Sequence, residues 1–158
     1  MAGDPDAGAE RAFFEALGRA IAKWQELELI LAILFATLID PQRIRLGRLL
    51  FNGLQGFRDK LKLTDTAACE VLFNSPLLDE WKVLHKALST LADRRNHLAH
   101  GVTSIDPATG QQFLRNAPLS SRKFDPARTL GHAEVVRCES DFEEAANQVA
   151  DFIGHLKS

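Results

Sequence analysis

Cysteine is scarce in this chain of 158 residues, and the two that are present, Cys69 and Cys138, lie far apart. Two thiols are too few for a disulfide scaffold, and they lack the close spacing of a zinc-ligand pair. We therefore expect both to be buried thiols in a reducing cytosol. His97 and His100 are three residues apart, but no Asp or Glu completes a zincin-like arrangement, so we expect no metal and no other cofactor.

The chain also lacks an excess of charge of one sign, because 19 Lys and Arg face 21 Asp and Glu, for a formal net charge of −2. It therefore has no general attraction for nucleic acid, and any RNA contact must come from a local basic patch. The densest basic region has Arg43, Arg45 and Arg48 on the predicted exposed side of a helix. Three further cations follow it: Arg58, Lys60 and Lys62. Alone, this region indicates a solvated helix face, whereas beside a catalytic groove it would guide RNA phosphates.

No apolar run is long enough to span a membrane. Residues 27–39 are strongly apolar, but the run is too short and contains Glu28. Residues 1–10 are acidic and lack the basic segment that begins a secretory signal. We therefore expect a cytoplasmic protein with no membrane contact.

The composition predicts a single folded domain over residues 1–158, with residues 1–8 as a disordered lead-in. Hydrophobic residues make up 46% of the chain and charged residues 25%, which is typical of a globular protein. A first helix is predicted over residues 9–39, where Glu28 is the one charged residue on an otherwise apolar stripe. The apolar members of the stripe are Phe14, Leu17, Ile21, Trp24, Leu31, Phe35 and Leu38.

Capping signals divide the next part of the chain. Asp40 and Pro41 read as an N-cap and first helical residue, and the helix that follows is expected to break around Gly53 and Gly56. Its predicted inward residues are Ile44, Leu46, Leu49, Leu50 and Leu54. A short helix is predicted from Thr64 or Asp65 to Phe73. Ser75 and Pro76 then cap a longer helix.

A change of period after Gly101 predicts a hairpin and loop insertion over residues 102–138. Two alternating segments flank a turn-rich stretch, residues 116–131 have no periodicity, and residues 134–138 can form a further short strand. A capping box at Ser140 then begins the last helix. The predicted fold class is all-α, a bundle of four main helices with a small β-hairpin inserted before the last one.

The longer helix carries the candidate site. Its apolar stripe is formed by Leu77, Trp81, Leu84, Leu88 and Leu91. The same spacing continues to Arg95 and Leu98, so it delivers a permanently charged guanidinium to a core-facing position. Asn96 and His100 are four apart on a neighbouring face, and Gly101 ends the helix. Arg and His in a last turn also suit the helix dipole, and the bare pattern is common by chance.

Arg95, Asn96 and His100 at the end of a long helix resemble the motif of the HEPN superfamily. Its ribonuclease members carry Arg, usually followed directly by a polar residue, and His four to six residues later. The resemblance implies a helical homodimer in which two motifs face each other and cut RNA without metal. It also implies a toxin or phage-defence effector, whose antitoxin partner is of the small nucleotidyltransferase type.

RNA cleavage by 2′-OH attack needs a base, an acid and a cation for the charge that grows on phosphorus. His100 is the candidate base, because an imidazole exchanges protons near neutral pH. Arg95 is the candidate cation, and Asn96 would orient His100 or a phosphate oxygen. Arg94 and His97 are further candidates for RNA contact. Because one chain offers one base, the chemistry also favours a homodimer.

Glu28 and Arg95 are the two charged residues on otherwise apolar stripes, so we expect them to form an ion pair. Such a pair would fix the register of the helices, orient the guanidinium, or do both. Arg94 is the rival partner for Glu28. The alternative function is a non-catalytic HEPN-like interaction or nucleotide-binding module. Acyl transfer and nucleotide hydrolysis are excluded because the chain lacks a nucleophile elbow, a reactive-cysteine context and a glycine-rich phosphate loop.

Overall fold

The computed structural model describes residues 5–115 and 129–157. Within them the chain is mostly helical with one small antiparallel sheet, which confirms the broadly all-α class. The helices are α1 Pro5–Ile39, α2 Ile44–Asn52, α3 Phe57–Val71, α4 Leu77–His100 and α5 His132–His155. The strands are β1 Val102–Ile105, β2 Gln112–Arg115 and β3 Thr129–Gly131, and β2 lies between the other two. None of the described helices is long and apolar enough to cross a membrane.

The core is built around α1, which packs most extensively against α5 and next against α2. Trp24 is fully buried at its middle, with its ring centroid 4.5 Å from that of Phe57 and 5.1 Å from that of Phe142. Lys23 Nζ lies 3.0 Å from a carboxylate oxygen of Glu143 beside this contact. The first helix was predicted from residue 9, and it already begins at Pro5, so residues 5–8 are helical rather than a disordered lead-in.

Helix α4 runs antiparallel to α3. Trp81 Nε1 donates a hydrogen bond of 2.8 Å to Asp65 Oδ1 near the start of α4, and Arg58 binds Asp93 at 2.8 Å near its end. The predicted cap is one residue early, since α4 begins at Leu77 with Pro76 at the N-cap and no side-chain cap; the Ser75 hydroxyl accepts the N–H of Leu77 at 3.3 Å in the turn before it. The end of α4 that carries the motif therefore lies beside the start of α3.

The inward face of α2 was predicted wrongly. Its buried residues are Gly47 and Phe51, whereas the three central leucines expected inside are exposed: Leu46, Leu49 and Leu50. The reason is Gly47, where an added Cβ would lie 2.5 Å from Cβ of Ala36. The two backbones approach so closely that the glycine side of α2 must face α1.

The starts of α2 and α3 also differ from the prediction. Asp40 accepts the N–H of Gln42 at 2.9 Å and forms a turn, and α2 begins at Ile44. Helix α3 is one helix that begins at Phe57, and Thr64, predicted as a cap, is buried inside it. The Thr64 hydroxyl donates to the Lys60 carbonyl at 2.8 Å, so no cap is needed there.

The predicted hairpin is confirmed, with Val102 opposite Arg115 across β1 and β2. Residues 134–138 are not a strand, because α5 begins at His132, eight residues before the predicted Ser140. The Glu134 carboxylate accepts the N–H of Gly131 at 3.0 Å and caps this earlier start. Of the predicted loop, residues 129–131 form β3, and residues 116–128 lie outside the described residues.

The two cysteines differ in environment, although both were predicted to be buried. Cys138 is buried on the inner face of α5, and burial raises the pKa of its thiol. Cys69 is exposed on α3. The stripe of α3 explains the difference, because Ala67 and Ala68 turn inward and leave Cys69 on the outside.

Candidate functional site

The three motif residues lie in the last turns of α4. Arg95 is half-buried, and Asn96 and His100 are exposed, with His100 the last residue of the helix. Leu91 and Leu98 are buried on either side and hold this segment against the core. The inward stripe therefore does bring a guanidinium to the edge of the core, and it leaves the imidazole open to solvent.

The guanidinium of Arg95 has no carboxylate partner among the residues that the structure describes. Arg95 Nη1 donates a hydrogen bond of 3.2 Å to Asn96 Oδ1. Over residues 5–115 and 129–157, no carboxylate lies within ion-pair distance of Arg95. A half-buried guanidinium with unused N–H donors can bind an anion such as a phosphate in bidentate geometry.

The expected pair between Glu28 and Arg95 is absent, because Glu28 binds Lys60. The two side chains are 25% and 11% exposed, and the Lys60 ammonium also lies 5.3 Å from the centre of the Phe51 ring. Glu28 thus links α1, α3 and α2, and it does not orient Arg95. The spacing of Lys60 with buried Thr64 and Ala67 would have indicated that this lysine points inward.

Two ion pairs on consecutive residues precede the motif in α4. Asp93 binds Arg58 of α3, and Arg94 binds Asp141 of α5. Arg94, predicted as an RNA contact and as the rival partner of Glu28, is thereby engaged with a carboxylate. These pairs join the last turns of α4 to both adjacent helices, and Arg95 is the next residue in the sequence. Their partners Arg58 and Asp141 are contacts of the motif helix that the sequence alone did not identify.

Gly101 follows the motif and packs closely against the end of α4 and against β2. It is extended (φ −66°, ψ 146°) and its N–H donates to the His97 carbonyl at 2.8 Å. An added Cβ would lie 2.7 Å from that carbonyl oxygen and 3.2 Å from Cβ of Leu114. The glycine is thus required by its close approach to the His97 carbonyl of α4, with the Leu114 side chain of β2 next, rather than by a left-handed conformation. His97 itself is half-buried at this junction.

The structure does not bring the basic region of α2 to the motif within one chain. Helix α2 meets α1 at Ala36, whereas the Arg94 ion pair adjoins Phe142, which packs on Trp24. At about 1.5 Å per helical residue, these two levels of α1 are roughly 18 Å apart. Arg43 and Arg45 are exposed and Arg48 is half-buried at the distant level.

Neither a cluster of metal-ligating residues among the described residues nor a similar known protein was found. No group of three or more His, Cys, Asp or Glu that could hold a metal occurs in the part of the chain that the structure describes. No family model, curated protein or solved structure matches the chain.

Proposed function

We propose that this protein is a metal-independent endoribonuclease of HEPN type. The observation that carries the proposal is the Arg95 guanidinium, which is half-buried and has no carboxylate partner among the described residues. It lies about one and a half helical turns before the exposed His100 imidazole. A guanidinium held at the edge of a core without its own counterion is suited to an external anion. The neighbouring His100 supplies a group that can move a proton.

The proposed reaction uses groups that the motif contains. His100 removes the proton from the ribose 2′-OH, and the 2′-oxygen attacks phosphorus. The bond from phosphorus to the 5′-oxygen breaks, and an imidazolium returns a proton to that oxygen. Arg95 stabilises the charge on the non-bridging oxygens, and Asn96, hydrogen-bonded to Arg95, keeps the fork aimed. The products are a 2′,3′-cyclic phosphate and a 5′-hydroxyl.

The reaction asks for a base and an acid, and His100 is the motif's one histidine and is exposed, whereas the neighbouring His97 is half-buried. We therefore propose a homodimer in which His100 of each copy contributes to the same reaction. A cytoplasmic toxin or phage-defence role, with an antitoxin partner, follows from the resemblance to HEPN ribonucleases and from nothing in the geometry.

A second candidate is a HEPN-like module that binds a nucleotide or RNA without cutting it. One observation favours it: within residues 5–115 and 129–157, no hydrogen bond orients the His100 imidazole. A general base is usually held in place by a neighbour, so an unrestrained imidazole suits binding better than catalysis.

The test is incubation of the purified protein with end-labelled single-stranded RNA in the presence of EDTA. Cleavage that leaves 2′,3′-cyclic phosphate ends supports the ribonuclease. Binding of the RNA without cleavage supports the second candidate. Cleavage that requires an added divalent ion overturns the proposed mechanism. Light scattering at micromolar concentration tests the homodimer, and a monomer would contradict it.

A further inference from the structure

The solvent side of α2 carries an apolar stripe that nothing in the described chain covers. Leu46, Leu49 and Leu50 are 49%, 62% and 54% exposed. Their spacing of three and four residues places them on one face of the helix. The stripe faces outward because Gly47 and Phe51 occupy the side that packs on α1. An apolar helix face of this kind is suited to another helix.

Arginines flank the stripe on both sides. At about 100° per residue, Arg43 lies beside Leu50 and Arg45 beside Leu49. Arg43 is 3.7 Å from Asp40 in an exposed pair, which holds it only weakly. Arg45 has no carboxylate partner among the described residues, and it lines a cleft of about 220 Å³ with Arg48, Leu49 and Asn52. We call Leu46, Leu49, Leu50, Arg43 and Arg45 the α2 face.

We propose that the α2 face binds an acidic amphipathic helix of a partner protein. Apolar residues of that helix would pack on the leucine stripe, and Asp or Glu on its two borders would pair with Arg43 and Arg45. Because the flanking residues are positively charged, the partner helix is expected to be negatively charged. The same positive charge disfavours a second copy in a two-fold contact, because each arginine would face the same charged border.

The combination of positive charge and apolar surface favours a protein helix over RNA as the ligand of the α2 face. A phosphate backbone would use the arginines and leave the three leucines in water. The α2 face also lies roughly 18 Å along α1 from the level of the motif, at about 1.5 Å per residue. The proposal therefore stands apart from the ribonuclease, and binding can be measured whether or not RNA is cut.

The probe is a synthetic helical peptide with leucine at positions i, i+3, i+4 and i+7 and glutamate on both borders of that stripe. Its twin carries lysine at every glutamate position. Binding to the full chain is followed by fluorescence anisotropy. We expect the glutamate peptide to bind at least tenfold more tightly than the lysine peptide, and to weaken as salt is raised.

Variants assign the binding to the α2 face. Leu49→Asp should weaken the glutamate peptide at least tenfold. Arg45→Glu should remove most of the preference between the two peptides, and the double variant Arg43→Glu, Arg45→Glu should reverse their order. Val83→Asp is the matched control, since Val83 is 74% exposed on α4, and it should leave binding unchanged. Leu49 is 62% exposed, so circular dichroism should show Leu49→Asp folded, and Leu49→Ser replaces it otherwise.

Three results overturn the proposal. The first is equal binding of the two peptides, or no binding of either. The second is loss of self-association in Leu49→Asp, measured by analytical ultracentrifugation, which would assign the face to a second copy. The third is loss of RNA binding in Leu49→Asp together with unchanged peptide binding, which would assign it to nucleic acid.

Discussion

The carboxylate of Glu28 accepts a hydrogen bond from the ammonium of Lys60 inside the bundle. Three helices meet there, since Glu28 belongs to α1, Lys60 to α3, and Phe51 of α2 lies under the ammonium. A buried pair adds little net stability compared with apolar residues of the same size, but removal of one partner leaves a charge without compensation. The pair therefore favours the arrangement of the three helices in which both charges are compensated, rather than adding much net stability.

Glu28→Gln should lower the free energy of unfolding by about 3 kcal/mol, because it leaves the Lys60 ammonium poorly compensated where water has little access. Urea unfolding measures the change. Lys60→Met in the Glu28→Gln background is the control, and it should recover much of the loss because no charge then remains buried. Additive losses in the two single variants would contradict the coupling.

His100→Ala should reduce RNA cleavage by about 10²–10⁴-fold, because it removes the proposed general base. Its free energy of unfolding should change by no more than about 0.5 kcal/mol, since the side chain is exposed at a helix end. His132→Ala is the control, because His132 is an exposed histidine at the first residue of α5, and it should leave cleavage unchanged. Equal cleavage rates for His100→Ala and the wild type would end the ribonuclease proposal.

Arg95→Ala should also abolish cleavage, and it should cost only about 1 kcal/mol of stability. The sequence alone predicted a larger loss, because Glu28 was expected to be its partner. The structure gives Glu28 to Lys60, so no buried carboxylate loses its counterion. Thermal unfolding of both variants tests whether Arg95→Ala loses less stability than Glu28→Gln. A larger loss in Arg95→Ala would show a partner that the structure does not contain.

Asp106 should make the hairpin turn sensitive to acid. The N–H of Ala108 donates to the carboxylate at 2.9 Å and, with help from the Thr109 hydroxyl, lowers the pKa of Asp106. A lowered carboxyl pKa stabilises the turn above the unfolded value of about 3.9, and this is lost as the pH falls through the folded pKa.

The amide chemical shift of Ala108, followed by NMR from about pH 6 to about pH 2, should therefore change below the ordinary carboxyl range. Asp106→Asn keeps an acceptor oxygen and cannot titrate, so its Ala108 shift should stay flat. A midpoint at or above the ordinary value would contradict the prediction.

Hydrophobic periodicity predicted the elements that bury a single apolar stripe in the core. The motif helix, the hairpin and the placement of Arg95 at the edge of the core follow from local spacing. The stripe of the first helix follows from it only in part, because Phe14, predicted inside, is exposed and Phe13 is buried in its place. The motif residues lie within the last two turns of one helix, so their places follow from the sequence order alone.

The errors came from contacts between segments that are distant in the sequence. Leucines outnumber other apolar residues in α2, yet the contact of Gly47 with Ala36 decides which side faces inward. Glu28 had two plausible partners by charge, and the packing of α3 supplied a third, Lys60. Local spacing carries no information about such contacts, because they depend on how closely two backbones can approach.

The packing of Trp24 has a consequence for how the chain folds as it is made. Phe57 follows it after a short interval, whereas Phe142 arrives only with the last described helix. A nascent chain therefore has one side of its first helix covered once α3 has been made, while the other side stays uncovered until α5 has been made. During that interval the uncovered apolar side is exposed to chaperones and to aggregation.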